Sequence, residues 1–284
     1  MPLPVTSTRM LLCWDNHLVK AKTTAGTPVT LTNATAQQGT HVNNLLYEDT
    51  TLRLISSAPS ADPTLRFEID QENTTTDNFV SGFVDWRDPW GYDGITMETA
   101  PGAGGPWTEV FSYTFPAKVF GQAPRTVLFR HAAVVGNAHF RFTFNGTPTR
   151  PALDIANLVV FKAVEVDINP DTGGILGQAA YKSRLRQGIG GSPHLVREAR
   201  AKSEVWQWRW ARMSQTLHGK VAEIHEDFKD RWCAVVPPID VGVLYPNRRH
   251  IVGYPLGFNT AALHGASQTE HVYLASLSVE GGIY

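Results

Sequence analysis

The 284-residue sequence predicts a mainly β protein in two unlike parts, an N-terminal β-sandwich and a smaller α+β domain with one amphipathic helix. Three observations lead to this fold class. Short segments rich in β-branched and aromatic residues fill the first half, Gly and Pro turn signals separate them, and no helical apolar period longer than about two turns appears before residue 175. Many short strands joined by such turns are typical of sandwiches and barrels.

Alternation of apolar and polar residues is clearest at 139–144. The phenylalanines at 140, 142 and 144 fall on one face of a strand, and Arg141 and Thr143 fall on the other. The turn formers Asn145-Gly146 follow directly. The strands predicted in the first half are 52–55, 65–69, 126–130, 139–144 and 158–161.

The balance of charge changes along the chain. Up to residue 168 the sequence has 12 basic and 16 acidic residues, and the remainder has 13 basic and 10 acidic. The change coincides with the turn formers of Asn169-Pro-Asp-Thr-Gly-Gly174, which predict a boundary. We therefore expect a sandwich domain at 1–168, a linker or arm at 169–202 and an α+β assembly domain at 203–284.

The second half carries two clear periodicities. Tryptophans 206, 208 and 210 recur at every second residue, which predicts a strand with three indoles on one face. A helix is predicted over about Ser214–Arg231, because apolar residues recur there at spacings of four, three and four. These apolar residues are Leu217, Val221, Ile224 and Phe228. Further strands are predicted at 232–236 and 271–279.

Basic residues are frequent between Lys182 and Lys202, around a Gly188-Ile-Gly-Gly191 break. Such a segment is exposed. It is either a solvated linker or an arm that becomes ordered on a neighbouring subunit.

Composition excludes several classes of function. The net charge of −1, with 18% charged and 42% hydrophobic residues, indicates a folded protein without the basic field that attracts nucleic acid. No stretch approaches the roughly 20 apolar residues of a membrane-spanning helix, and residues 1–12 make a poor secretion signal. We expect neither nucleic-acid binding nor membrane insertion.

Catalytic motifs are missing as well. The sequence has no Gly-Lys-Ser/Thr phosphate loop, no His-Glu-x-x-His pair and no Gly-x-Ser-x-Gly elbow. Two cysteines, Cys13 and Cys233, are too few for a disulfide framework. We expect no enzyme activity, no cofactor and no metal. A hydrolase with a carboxylate pair such as Asp85 and Glu98 stays open as a third alternative.

A loop rich in aromatic residues follows Phe83. Tryptophans on the loops of a sandwich can stack on sugar rings, while neighbouring carboxylates accept hydrogen bonds from hydroxyl groups. Alternatively, Trp86 and Trp90 close the sandwich core from its end. The candidate glycan-binding residues are Asp85, Trp86, Trp90, Tyr92 and Trp107.

The rhythm of strands over residues 40–166 resembles the galactose-binding-like, discoidin-type jelly roll. The segments that carry this resemblance are Asn44-Leu-Leu46, Leu52-Arg-Leu54, Thr108-Glu-Val-Phe111, Val127-Leu-Phe-Arg-His131 and Asp154-Ile-Ala-Asn-Leu-Val-Val-Phe161. It implies a module that binds carbohydrate or mediates protein contacts.

The whole chain also resembles a structural protein of the tail tip or baseplate of a tailed bacteriophage. The features behind this resemblance are a sandwich without a signal peptide, a C-terminal part with a helix and the Val235-Val-Pro-Pro238 strand end, and low charge with Thr/Asn/Gly-rich turns. In distal-tail proteins the ring-forming domain usually comes first, whereas the order here is reversed.

This second resemblance implies a ring of identical copies that connects the tail tube to host-recognition parts. The protein would lie in the virion, assembled in the host cytoplasm, with neighbouring tail proteins as partners and host glycan as an added ligand. The residues expected at the subunit interface are Trp206, Trp208, Trp210, Arg184 and Arg186; the tryptophans could equally be core. The main alternative function is a lectin-like carbohydrate-binding module.

Overall fold

The computed structural model describes residues 9–20, 29–49, 52–58, 63–68, 78–87, 91–115, 126–131, 139–146, 152–171, 178–187, 193–236, 251–263 and 272–282. They form fifteen strands and one α-helix, together with short 3-10 helices at His17–Lys20 and Val42–Leu46. In chain order the strands and the α-helix are β1 (Leu11–Asn16), β2 (Val29–Thr32), β3 (Leu54–Ile55), β4 (Thr64–Glu68), β5 (Asn78–Trp86), β6 (Gly94–Ala100), β7 (Thr108–Thr114), β8 (Val127–His131), β9 (His139–Asn145), β10 (Asp154–Glu165), β11 (Gln178–Gln187), β12 (Pro193–Met213), α1 (Gln215–Asp227), β13 (Cys233–Val236), β14 (Ile251–Leu263) and β15 (Val272–Gly282).

The described residues divide into two compact units. Residues 16–164 form unit 1, and residues 9–15 together with 165–282 form unit 2. This division differs from the sequence-predicted domain at 1–168, because the apolar strand β1 pairs with β13 of unit 2. Leu11 lies opposite Val236 in that pair.

Unit 1 is a β-sandwich of two antiparallel sheets. One sheet contains β10, β5 and β8 in that order, with β3 also paired to β10. The other sheet has five strands in the order β2-β4-β9-β6-β7. Paired strands are mostly distant in sequence, which is the jelly-roll arrangement, so the predicted sandwich is confirmed.

The core of unit 1 lies between these sheets and is rich in aromatic rings. Phe140, Phe142 and Phe144 are fully buried while the residues between them are only half-buried, as the alternation in β9 predicts. Phe111 of β7 stacks on Phe129 of β8, in the opposite sheet, at a centroid distance of 4.3 Å. Each such ring buries roughly 150–250 Å², and the aromatic contacts therefore contribute much of the burial that holds the two sheets together.

Unit 2 is an antiparallel sheet with one helix packed against it. Its strand order is β11-β12-β15-β14-β13-β1, and α1 contacts β14 and β15. The helix begins after Ser214, whose side-chain oxygen accepts a hydrogen bond from the Leu217 amide at 3.1 Å. Leu217, Val221 and Ile224 are buried as predicted. The helix ends at Asp227, earlier than the predicted Arg231.

The three alternating tryptophans lie on β12, as the two-residue period predicts. Trp206, Trp208 and Trp210 are exposed by no more than 3%, whereas Arg209 between them is exposed. The Trp210 Nε1–H group donates a hydrogen bond to the Ile168 carbonyl at 2.9 Å. Because one chain already covers these indoles, their assignment to a subunit interface is corrected: they are core residues of unit 2.

Strands replace much of the linker predicted at 169–202. β11 pairs antiparallel with the first part of β12, and Arg186 lies opposite His194. Lys182, Arg184 and Arg186 occupy alternate positions of β11, which is the period of a strand rather than of an irregular arm. The Gly188–Gly191 break falls between the two strands, outside the described residues. The interface role of Arg184 and Arg186 stays a prediction.

Candidate functional site

Two of the predicted sugar-stacking residues lie in the sandwich core. Trp86 is fully buried, with ring centroids at 5.1 Å from Tyr92, 5.3 Å from Phe115 and 5.0 Å from Phe144. Tyr92 is only 3% exposed. Neither ring offers a face to a ligand, so their assignment as glycan-binding residues is wrong. For Trp86, the alternative that it packs in the core is correct.

Asp85 is also unavailable to a sugar, because Arg53 binds it. Arg53 Nη1 donates to the Asp85 carboxylate and Arg53 Nη2 donates to the Asp85 carbonyl at 2.8 Å. Arg53 Nε reaches Asp154 Oδ1 at 2.5 Å. Asp85 is buried and has a left-handed backbone with φ of 48°. This ion-pair cluster fixes the backbone at the end of β5, and Asp85 is corrected from a ligand-binding to a structural role.

Of the remaining two predicted residues, Trp90 lies outside the described residues and Trp107 is half-buried. Trp107 ends the turn at 101–107 that joins β6 to β7. Gly105 shapes this turn: its φ is 90°, and its amide donates to the Gly102 carbonyl at 3.0 Å. A Cβ on Gly105 would lie 3.1 Å from the indole Cδ1 of Trp107. Both its backbone angle and its closeness to the indole therefore favour glycine here.

Opposite Trp107, the register of the five-stranded sheet brings charged residues into one row. Arg66 of β4 lies beside Arg141 of β9, Arg141 lies beside Glu98 of β6, and Glu98 lies beside Glu109 of β7. All four belong to the polar face of the sheet, opposite the buried phenylalanines. We call this row, together with Trp107, the Trp107 face.

Arg141 links the indole to the sheet. Its guanidinium carbon lies 4.4 Å from the Trp107 ring centroid, within the range of a cation–π contact. Its Nε and Nη2 atoms donate to Glu98 Oε2 at 2.7 and 2.6 Å. The ion pair keeps the guanidinium plane in place, and the guanidinium in turn positions the indole.

Arg66 stands on the same face with a different environment. Its guanidinium carbon lies 5.6 Å from the Trp107 centroid. Nη1 reaches the Ala103 carbonyl only at 3.5 Å, the long limit for a hydrogen bond. Nε is buried and has no hydrogen-bond partner. Arg66 forms no ion pair with any residue that the structure describes.

Hydroxyl, amide and imidazole groups extend the polar face along the strands. Thr96 Oγ1 and Ser112 Oγ lie 3.1 Å apart, and Asn145 Nδ2 donates to Thr96 Oγ1 at 3.0 Å. His139 Nδ1 lies 3.6 Å from Glu68 Oε1. The face thus combines one aromatic ring with donors and acceptors of both charges. Such a surface can pack on the C–H groups of a sugar and form hydrogen bonds with its hydroxyls.

The sequence suggested Trp107 as a candidate site residue and placed Arg141 on the polar face of its strand, but Arg66 was not among the predicted site residues. The signal was available in part, since Leu65 and Phe67 flank Arg66 in a two-residue alternation. Its neighbourhood with Trp107 depends on β4 pairing with β9, and local periodicity does not determine that pairing.

Within the described ranges, no three His, Cys, Asp or Glu side chains converge as metal ligands. Nor is any helix in those ranges long and apolar enough to cross a membrane.

No known family model and no curated protein matches the chain. Solved structures that match about half of it include carbohydrate-binding modules. CBM32-3 from a family 31 glycoside hydrolase of Clostridium perfringens is 17% identical with a TM-score of 0.35, and the match covers 48% of this chain and 91% of that one.

Chitosan-binding module 1 of a chitosanase/glucanase from Paenibacillus sp. IK-5 is 13% identical with a TM-score of 0.37, and the match covers 52% of this chain and 98% of that one. A pectin-binding carbohydrate-binding module is 15% identical with a TM-score of 0.30, and the match covers 49% of this chain and 91% of that one. Likenesses this distant carry no argument about function.

Proposed function

We propose that unit 1 is a carbohydrate-binding module and that it binds sugar at the Trp107 face. One observation carries the proposal: the half-buried indole of Trp107 is held against Arg141 and Arg66 on a sheet face that is otherwise polar. Sugar rings present C–H faces that pack on aromatic rings, and hydroxyl groups that need both donors and acceptors. The Trp107 face supplies both within a few ångströms.

Pre-organisation supports the same proposal. A flexible tryptophan and arginine would lose side-chain freedom on binding, at roughly 0.5–1.5 kcal/mol for each ordered side chain. Here Glu98 already holds Arg141, and the Arg141 guanidinium already lies against the Trp107 ring. A ligand therefore meets a surface whose key groups are largely ordered before it arrives.

We further propose that the unit acts by binding alone. Asp85 and Glu98 were the carboxylates of the hydrolase alternative, and each forms an ion pair with an arginine. The assay for this part is turnover of chromogenic glycosides and esters. Turnover that disappears on the substitution Glu98→Gln would contradict it.

The ring-forming role in a phage tail, with its virion location, stays a prediction, because no contact among the described residues of either unit favours it over a free module. Native mass spectrometry of the whole chain tests it. A closed ring of copies would support the prediction, and a monomer at all concentrations would contradict it.

The binding proposal is tested with a glycan array followed by calorimetric titration of any glycan that binds. Trp107→Ala should weaken binding by about 1 kcal/mol or more, because the aromatic contact is lost, while Trp107→Phe should retain part of the affinity. Tyr47→Ala is the matched control, since Tyr47 is a 52% exposed aromatic residue of the same unit that lies outside the Trp107 face. Equal affinities for wild type and Trp107→Ala would contradict the proposal.

A further inference from the structure

Arg66 is the one cation of the Trp107 face without a carboxylate among the described residues. The neighbouring cation Arg141 is bound by Glu98 at 2.6–2.7 Å, and His139 lies 3.6 Å from Glu68. Arg66 has only the long contact from Nη1 to the Ala103 carbonyl. Its Nε atom is buried and makes no hydrogen bond.

A buried N–H group without an acceptor is unfavourable, more so when the group is charged. The terminal amino groups of Arg66 have only the long contact to the Ala103 carbonyl, so a ligand that supplies an acceptor to them adds a hydrogen bond without breaking an ion pair among the described residues. A planar carboxylate suits a guanidinium best, because two parallel N–H···O bonds can form. A neutral hydroxyl would satisfy the donors without the charge-assisted gain.

Because Arg66 lies beside Trp107, a sugar bound at the indole can carry the acceptor that Arg66 lacks. Its guanidinium lies 5.6 Å from the centroid of Trp107, so a ring that contacts the indole would bring its substituents within reach of Arg66. The first 168 residues carry a net negative charge. That charge is largely screened beyond about 8–10 Å at physiological ionic strength, and the local contacts of Arg66 decide the interaction.

Resting on the proposed carbohydrate function, we propose that the Trp107 face selects acidic glycans, and that Arg66 binds the carboxylate of a hexuronate residue. Trp107 contacts the sugar ring, Arg66 pairs with its carboxylate, and Arg141 stays bound to Glu98 as the positioning group. Specificity for charge then resides in Arg66 and general affinity for sugar in Trp107.

The test uses calorimetric titration of the full chain with two matched probes, a galacturonate hexamer and the same hexamer with every carboxylate methyl-esterified. The wild type should bind the acidic hexamer more tightly, and added salt should weaken this binding. Arg66→Gln should weaken binding of the acidic hexamer by roughly tenfold or more, the effect of losing a charge-assisted hydrogen bond, and should weaken binding of the uncharged ester by a clearly smaller factor.

Arg66→Lys keeps the charge without the planar fork, and an intermediate loss is expected. Arg209→Gln is the matched control, since it removes the same charge from an exposed strand position of unit 2. Urea unfolding of each variant separates a binding defect from a folding defect.

The outcomes distinguish the two proposals. If Trp107→Ala abolishes binding of both hexamers but the wild type binds them equally, the carbohydrate function stands and the acidic selectivity is overturned. Unchanged binding of the acidic hexamer by Arg66→Gln overturns the selectivity too. A third probe, a sulfated galactan oligosaccharide, overturns the carboxylate assignment if it alone binds. If Trp107→Ala changes no affinity, the carbohydrate function at this face fails.

Discussion

The guanidinium of Arg141 lies 4.4 Å from the centre of the Trp107 indole while it donates twice to one oxygen of Glu98. Glu98 therefore fixes the position of the Arg141 guanidinium, and through it the position of the Trp107 ring on the face of the sheet. Changes at Glu98 should alter both the charge of the face and the order of the ring, and the two effects can be measured separately.

Neutralising that carboxylate tests the electrostatic part. Glu98→Gln keeps an oxygen that accepts from Arg141 and makes the face more positive by one charge. We expect affinity for the acidic hexamer to rise severalfold at low salt, with a loss of stability of about 1 kcal/mol or less, since the pair is partly exposed. Titrations at two salt concentrations check this, and a fall in affinity for the acidic probe would contradict it.

Gly82 should not tolerate any side chain. It lies on β5 between its partners Val159 of β10 and Leu128 of β8. A Cβ at this position would lie 2.0 Å from the Val127 carbonyl oxygen, and backbone atoms cannot move aside as a flexible side chain could. We expect Gly82→Ala to lower the free energy of unfolding by about 2–3 kcal/mol or more, measured in urea.

Gly104→Ala is the control for that substitution, because its Cβ would meet nothing within 4 Å. Its effect should stay within about 0.5 kcal/mol. Equal effects at the two glycines would show that the close approach of β5 and β8 is not what fixes Gly82.

Removing Arg53 should destabilise unit 1 strongly. Arg53 is 8% exposed and bonds to both Asp85 and Asp154. Arg53→Met leaves two neighbouring carboxylates without their common cation, and breaking a buried ion pair in this way costs about 3–5 kcal/mol. Urea unfolding measures the loss.

Arg87→Met is the comparison variant, because Arg87 Nη1 lies 3.8 Å from Asp154 Oδ2 and the side chain is 55% exposed. We expect a loss below about 1 kcal/mol there. If Arg53→Met were equally mild, the cluster would not hold the end of β5 as argued.

Trp210 should stabilise the single chain rather than an assembly. It is fully buried and bonds to the Ile168 carbonyl. Trp210→Ala should cost about 3–5 kcal/mol, and the loss should be the same at every protein concentration. For a subunit contact, the unfolding midpoint of the wild type would instead rise with concentration, and that result would contradict the core assignment.

Local periodicity was sufficient to predict the strands and the helix that have one apolar and one polar face. The alternation at Phe140–Phe144, the stripe of α1 and the tryptophans of β12 all occur where the sequence predicts them. In contrast, the sequence pattern did not predict β14, because its glycines and Pro255 are typical of turns. Pro255 sits where the pairing with β15 shifts register, between Pro255 and Gly257, and such an irregularity accommodates a residue without an N–H group.

The candidate site was predictable only in part for a related reason. Trp86 and Trp107 are both aromatic residues near turns, and the sequence offers no sign that one packs in the core and the other on the sheet face. Burial follows from which strands pair across the sandwich. Arg66 and Glu98 meet Arg141 by cross-strand register between segments more than 30 residues apart, which a one-dimensional pattern does not encode.

The pairing of β1 with β13 has a consequence for how the chain is made. Leu11 faces Val236, so this strand emerges from the ribosome 225 residues ahead of its partner. All of unit 1 can be synthesised, and can collapse, before β13 exists to pair with β1. Amino-terminal shortening past Asp15 should therefore impair the C-terminal unit, which loses a strand of its sheet.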